Sequence, residues 1–350
     1  MATDALSANA QESRATTPHR RGLLDRMLDF IDGLPGATAA WWAGIGLVLA
    51  AIGHLVVWIS PGRQMGALHH DVFAPALIFA WFGWLMQTLN KIGAWAFNEF
   101  RPALNDPAAD DRYRHELTTL PDRYAVIGAL GAIAVVSVAY YVGVRPFRES
   151  VPAADIEVVS TPLWGLVSLA LGIVVIHTVR QLRLVSRLSA VANNVDIFKP
   201  GPINAFARLT AVSAIGLIAF VVAFMLYSPN QPIAYVIQES ALLAIAAASF
   251  VLPLRVMHNR LVAEKTRLLS DSQDRLKTVL SRVHQAVDED DLGRAEQLRQ
   301  TLNAVLAERD VLAKLHTWPW SAGTFRGFAS ALLLPIALIL FTQVIDKVLL

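Results

Sequence analysis

Seven runs of about twenty apolar residues interrupt a chain whose remaining segments are rich in charge. Crossing roughly 30 Å of hydrocarbon takes about 20 helical residues, so each run is long enough to span a bilayer. Ala39–Ile59 carries no charge, Val72–Asn90 carries none before Lys91, and Tyr124–Val144 and Thr161–Val179 are clean. From Leu209 no charge occurs until Glu239, but Ser228-Pro229-Asn230-Gln231-Pro232 predicts a turn that divides the stretch. The sixth span is then Ile233–Leu254 and the seventh Gly327–Ile345. A charge such as Glu239 costs about 2.5–3.5 kcal/mol at a helix centre, and less near a span's end, where this one is placed.

Between the spans the pattern changes to helical spacing with one apolar face. In Arg21–Leu34 the residues Leu23, Leu24, Met27, Leu28 and Ile31 alternate with Asp25, Arg26, Asp29 and Asp32, which predicts an amphipathic helix lying on the membrane surface. Leu182, Leu184, Val185, Leu188 and Val191 carry a helix past the fourth span as far as Asn193, and Lys199-Pro200-Gly201-Pro202 predicts a turn before the fifth. Two stripes follow the sixth span: Leu269, Leu276, Leu280, Val283 and Val287, then Leu298, Leu302, Val305 and Leu312. They are separated by Asp288-Glu289-Asp290-Asp291, with Asp291 placed to cap the second helix. Both ends must return to one membrane face, so the expected form is an antiparallel hairpin with coiled-coil-like spacing. Pro253 is the expected kink at its entry and Trp318-Pro319-Trp320 the turn at its exit.

Lys and Arg orient such a chain, because they are retained on the cytoplasmic side. Of 30 Lys and Arg residues, only Arg63, Arg145, Arg148 and Lys347 fall on one set of alternate sides. The predicted fold is thus all-α: a polytopic membrane helix bundle of seven transmembrane helices, N-terminus in and C-terminus out. Residues 1–37 form a cytoplasmic N-terminal segment with its interfacial helix over 21–34, the stretch 1–18 being disordered. Residues 38–257 form a six-helix region, 258–316 a cytoplasmic hairpin between helices 6 and 7, and 317–350 the Trp-Pro-Trp turn and seventh span. The first run is read as a retained helix, not a signal sequence, since it spans a full bilayer and no small-residue cleavage site follows it.

Composition agrees. Hydrophobic residues make up 55% and charged residues 17%, with a mean hydropathy of +0.45, against about half and a quarter in soluble domains. With no cysteine, disulfides, thiolate metal sites and cysteine nucleophiles are excluded. Seven of nine tryptophans, Trp41, Trp42, Trp58, Trp95, Trp164, Trp318 and Trp320, stand near predicted helix ends, where indoles prefer the headgroup zone. Trp81 and Trp84 are mid-span. Gly44 with Ala40, and Gly128, Gly131 and Ala132, permit close helix approach.

No nucleotide, hydrolase or metalloprotease motif occurs; Gly44-Ile45-Gly46 lacks a third glycine and a preceding strand. Acids interleave with the hairpin's basic residues, so no nucleic-acid partner is expected. The candidate functional residues are two intramembrane polar groups at similar depth, His54 and Glu239, beside His69, His70 and Asp71 at the mouth of the second span. Asp106, Asp110, Asp111 and His115 come nearest to a metal cluster and read better as a solvated acidic turn. Gln87 and Asn90 are expected to hydrogen-bond between helices, and His177 to reach the interface. No catalytic residue, metal or cofactor is expected. The chain reads as a non-enzymatic scaffold or signalling component acting through 258–316. Its environment is the lipid bilayer of a cell membrane (the inner membrane in a bacterium), and its expected partners are a cytoplasmic protein at the hairpin or a second copy of itself. The alternative is a channel or transporter, as an oligomer.

Overall fold

The computed structural model describes residues 21–104, 110–141, 154–192, 197–227 and 233–349, and every regular element among them is helical. The sequence readings over 1–18, Asn193–Asp196 and Ser228–Pro232, with Asp106, lie outside these residues. The helices are α1 (Leu23–Asp32), α2 (Thr38–Trp58), α3 (His70–Phe100), α4 (Asp110–Thr118), α5 (Asp122–Tyr141), α6 (Ala154–Val191), α7 (Pro200–Tyr227), α8 (Ile233–Val251), α9 (Arg255–Asp288), α10 (Leu292–Lys314) and α11 (Ala322–Leu349). Among the described residues, six helical stretches are long and apolar enough to cross a membrane, and Ala322–Leu338 in α11 is a shorter apolar one. These are the dimensions of a multi-pass membrane protein. Their outer faces fit an apolar solvent: Leu47, Val48 and Ile52 of α2 and Leu130 and Val135 of α5 are all more than half exposed.

α3 is the central helix and packs on α2, α6 and α7. Phe82 meets Phe220 at 5.1 Å and Phe100 meets Phe206 at 4.7 Å between ring centroids, which fixes α3 to α7 along its length. α5 packs mainly on α6, through Gly128 and Gly172: a Cβ on Gly128 would stand 2.7 Å from the Gly172 carbonyl oxygen, so only glycine allows this approach. Gly44 and Gly131 face open space, and neither makes the expected contact. α7 carries α8 and α11, with Phe250 stacked on Phe328 at 4.1 Å.

Helices run on beyond their apolar windows. α3 continues through Lys91 because Ala96, Phe97 and Phe100 still have the core to bury, and stops where Pro102 allows only the 3-10 turn Arg101–Ala103. α6 spans 38 residues, about 57 Å, with Leu182, Val185 and Leu188 buried beyond Val179. Pro200 and Pro202 do not precede α7 in a turn. They occupy its first turn, where the missing N–H groups have no helical partner to lose. Pro253 interrupts α8 and α9 with the 3-10 turn Leu252–Leu254.

Two tryptophans placed at the headgroup zone by sequence are core residues instead. Trp42, 3% exposed, fits opposite Gly83, where any Cβ would collide with its ring, and donates its indole N–H to Gln87 Oε1 at 2.7 Å. Trp164 packs edge-on against Phe224 and Tyr227. Trp81 and Trp84 are half-buried and tilt together at 4.8 Å.

Candidate functional site

At the end of the bundle formed by the α2–α3 loop, His54 is 2% exposed and has work for both ring nitrogens. The His69 backbone N–H donates to Nε2 at 2.9 Å, so Nδ1 carries the proton and donates to the Ala50 carbonyl at 2.7 Å. The imidazole thereby ties α2 to the residue preceding α3. Glu239 is also buried, in α8, which packs on α7 while α2 packs on α3 and α6; no hydrogen bond among the described residues joins the two. Asp71 accepts a hydrogen bond from the Tyr227 hydroxyl, and the exposed His70 leans on the same ring at 5.5 Å. Arg63 pairs with Asp155 and joins the loop to the start of α6. Among the described residues no three His, Asp or Glu side chains are placed to hold a metal.

The opposite end carries most of the polar chemistry. α1 lies beside α3 at Gln87 and Lys91 and meets the start of α5 in a reciprocal clasp: Asp25 accepts from the Leu120 N–H at 3.0 Å, and Asp122 accepts from the Leu23 N–H at 2.8 Å. The helical pattern sets Asp25 on the polar face of α1, but it is only 3% exposed, and it also accepts from the Gly22 N–H at 3.1 Å. Burial raises its carboxyl above the usual range, and the Leu120 and Gly22 amides pull it partly back. Leu28 and Ile31 pack inward, whereas Leu23 and Phe30 stay more than two-thirds exposed.

Between α1, α3 and α4 opens a cavity of about 470 Å³. Its floor is polar. Gln87 accepts from Trp42 and donates to the Leu28 carbonyl and Asp32 Oδ1, each at 3.2 Å. Asn90 Oδ1 accepts from His177 Nε2 at 2.8 Å, and Gln181, which donates to the Leu117 carbonyl at 2.8 Å, stands behind it. His177 does not reach the interface: it is 1% exposed and committed to Asn90. The walls include Asp25, Asp29 and Asp32 from α1, Lys91 from α3, and Asp111 and Arg114 from α4. Lys91 pairs with Asp32, and Arg21 with Asp29. The hydrogen bonds of Gln87 and Asn90 match their expected role, but the cavity in front of them needed the placement of α1 and α4, which no local signal carries.

At the same end, α9 and α10 pack on each other, joined by Arg275 and Glu308. The Asp288–Asp291 turn closes with Asp290 at φ 59, and Asp291 caps α10 by accepting from the Arg294 N–H at 3.0 Å. Val287 turns outward from the stripe and is 54% exposed. The base of the pair is held by stacked rings. His258 lies on Trp318 at 3.9 Å, Trp318 on Trp320 at 4.3 Å, and Trp320 on Phe250 at 5.2 Å. Arg260 donates to the Ala190 and Ala192 carbonyls ending α6, and Lys265 to the Ala313 and Leu315 carbonyls ending α10.

No protein-family model, curated protein or solved structure matches the chain.

Proposed function

We propose that the chain is a seven-span membrane protein, N-terminus in and C-terminus out, that serves as a non-enzymatic scaffold or signalling component through the α9–α10 hairpin on its cytoplasmic side. In a bacterium its place is the inner membrane. The observation that supports this reading most is the contrast between the hairpin's two ends. Its base is stapled to the bundle by the His258–Trp318–Trp320–Phe250 stack and the carbonyl contacts of Arg260 and Lys265. Its far end exposes Val287 and Leu292, 54% and 70% accessible, around the acidic turn. A rigid arm with an apolar tip is suited to present a contact to a soluble partner, or to carry a displacement between that partner and the spans.

The test is photo-crosslinking in cells from the exposed positions Gln273, Arg294 and Arg299, with the captured species identified by mass spectrometry. The expected result is one dominant soluble protein, lost when residues 259–315 are deleted together with the chain's biological role. A role that survives the deletion overturns the reading. Channel or transporter activity is the competing function, favoured by the polar cavity at the same end, and solute flux into liposomes that persists without the hairpin would establish it.

A further inference from the structure

The cavity between α1, α3 and α4 is a built site, and its chemistry narrows the ligand. Two of its charge pairs are internally matched, Lys91 with Asp32 and Arg21 with Asp29, so they set its shape and add little net field. Two charges remain. No hydrogen bond or ion pair among the described residues engages the Arg114 guanidinium or the Asp111 carboxylate, although the two stand three residues apart on α4 and both line the cavity. On the floor, Asn90 spends Oδ1 on His177, which leaves its Nδ2 donors for the cavity. Behind that floor, His177 Nδ1 and Gln181 Oε1, each in a side chain 1% exposed, have no hydrogen-bond partner.

A lone anion would satisfy Arg114 and Asn90 and leave Asp111 facing like charge. A lone cation would do the reverse. A small molecule bearing both charges meets each at once and leaves the matched pairs intact. We propose that this cavity binds a zwitterion of the phosphoethanolamine type, its phosphate held by Arg114 and the Asn90 amide and its ammonium by Asp111. The same chemistry is available from a lipid headgroup, reached along the exposed Leu23 and Phe30 face of α1, and from free phosphoethanolamine in solution.

The experiment uses the full chain purified in detergent and in nanodiscs. Free phosphoethanolamine is titrated calorimetrically, with ethanolamine and inorganic phosphate as half-ligands. In parallel, native mass spectrometry counts lipids retained from nanodiscs containing phosphatidylethanolamine, phosphatidylglycerol or phosphatidylcholine. The expected result is saturable binding of the zwitterion at least tenfold tighter than either half-ligand, weakened at least tenfold by both Arg114→Gln and Asp111→Asn. Both positions are exposed, so the variants keep the parental melting temperature. Selective retention of phosphatidylethanolamine without binding of the free compound assigns the site to lipid, and the converse assigns it to a soluble ligand. Equal binding of a half-ligand, equal retention of all three lipids without zwitterion binding, or indifference to both substitutions overturns the proposal.

Discussion

Asp25 shows what a single buried carboxylate does at the foot of this bundle. Its two oxygens serve backbone N–H groups from Gly22 and Leu120 and so fix where α1 meets α5. Its carboxyl group is raised above 3.8 chiefly by burial, so the folded protein holds that proton more tightly than the unfolded chain. The corresponding stability is fully present below 3.8 and is lost as pH rises through the raised folded value. Asp25→Asn keeps one acceptor and has no charge to desolvate. Its melting temperature relative to the parent should therefore climb as pH rises above 3.8 and level off beyond the folded value; a difference that does not change with pH defeats the account. None of this is legible in the sequence, because Asp25, Asp29 and Asp32 share one helical face and periodicity cannot say whether that face meets water or the Leu120 amide. His54 was legible as a buried polar residue, but its partner is a backbone N–H, which has no residue identity to read.

At the scale of the helix, hydropathy identifies what lies in hydrocarbon and says less about where a helix ends. Lys91 and Arg180 close the apolar windows of α3 and α6, yet both helices continue, since a charged residue can sit on the outer side of a turn whose inner side still buries Phe97 or Leu188. Small residues are similarly ambiguous. Gly44, Gly128 and Gly131 look alike in sequence, but only Gly128 meets another backbone, because contact requires a second small residue at the matching level of the partner helix, here Gly172. That difference is measurable. Gly128→Val drives a branched side chain against a carbonyl that cannot yield without moving α6, and overpacking of this kind costs about 1–3 kcal/mol. Gly131→Val projects into open space. Thermal melts in one detergent should show a clear loss for the first and parental behaviour for the second; equal melting temperatures would mean that α5 and α6 are not held at this crossing.

For the molecule as a whole, α6 is the element shared by both features at the α1 end. Gln181 stands behind the cavity floor and Ala192 accepts from Arg260 at the hairpin base, about 16 Å apart along one continuous helix. Whether that end faces the cytoplasm is a question of topology, and the absence of cysteine makes it directly testable, since a single introduced thiol is the only one to label. With seven spans and the N-terminus inside, a thiol at Met65 between α2 and α3 reacts with a membrane-impermeant maleimide on intact cells. A thiol at Gln273 in the hairpin reacts only after lysis, and one at Lys347, beyond the last apolar run, reacts again from outside. The third position separates seven crossings from six: if α11 lies along the membrane without crossing it, Lys347 is protected together with Gln273. Labelling of Gln273 on intact cells would reverse the orientation inferred from the arginines and lysines, move the cavity and hairpin to the outer face, and remove any cytoplasmic partner from the proposed function.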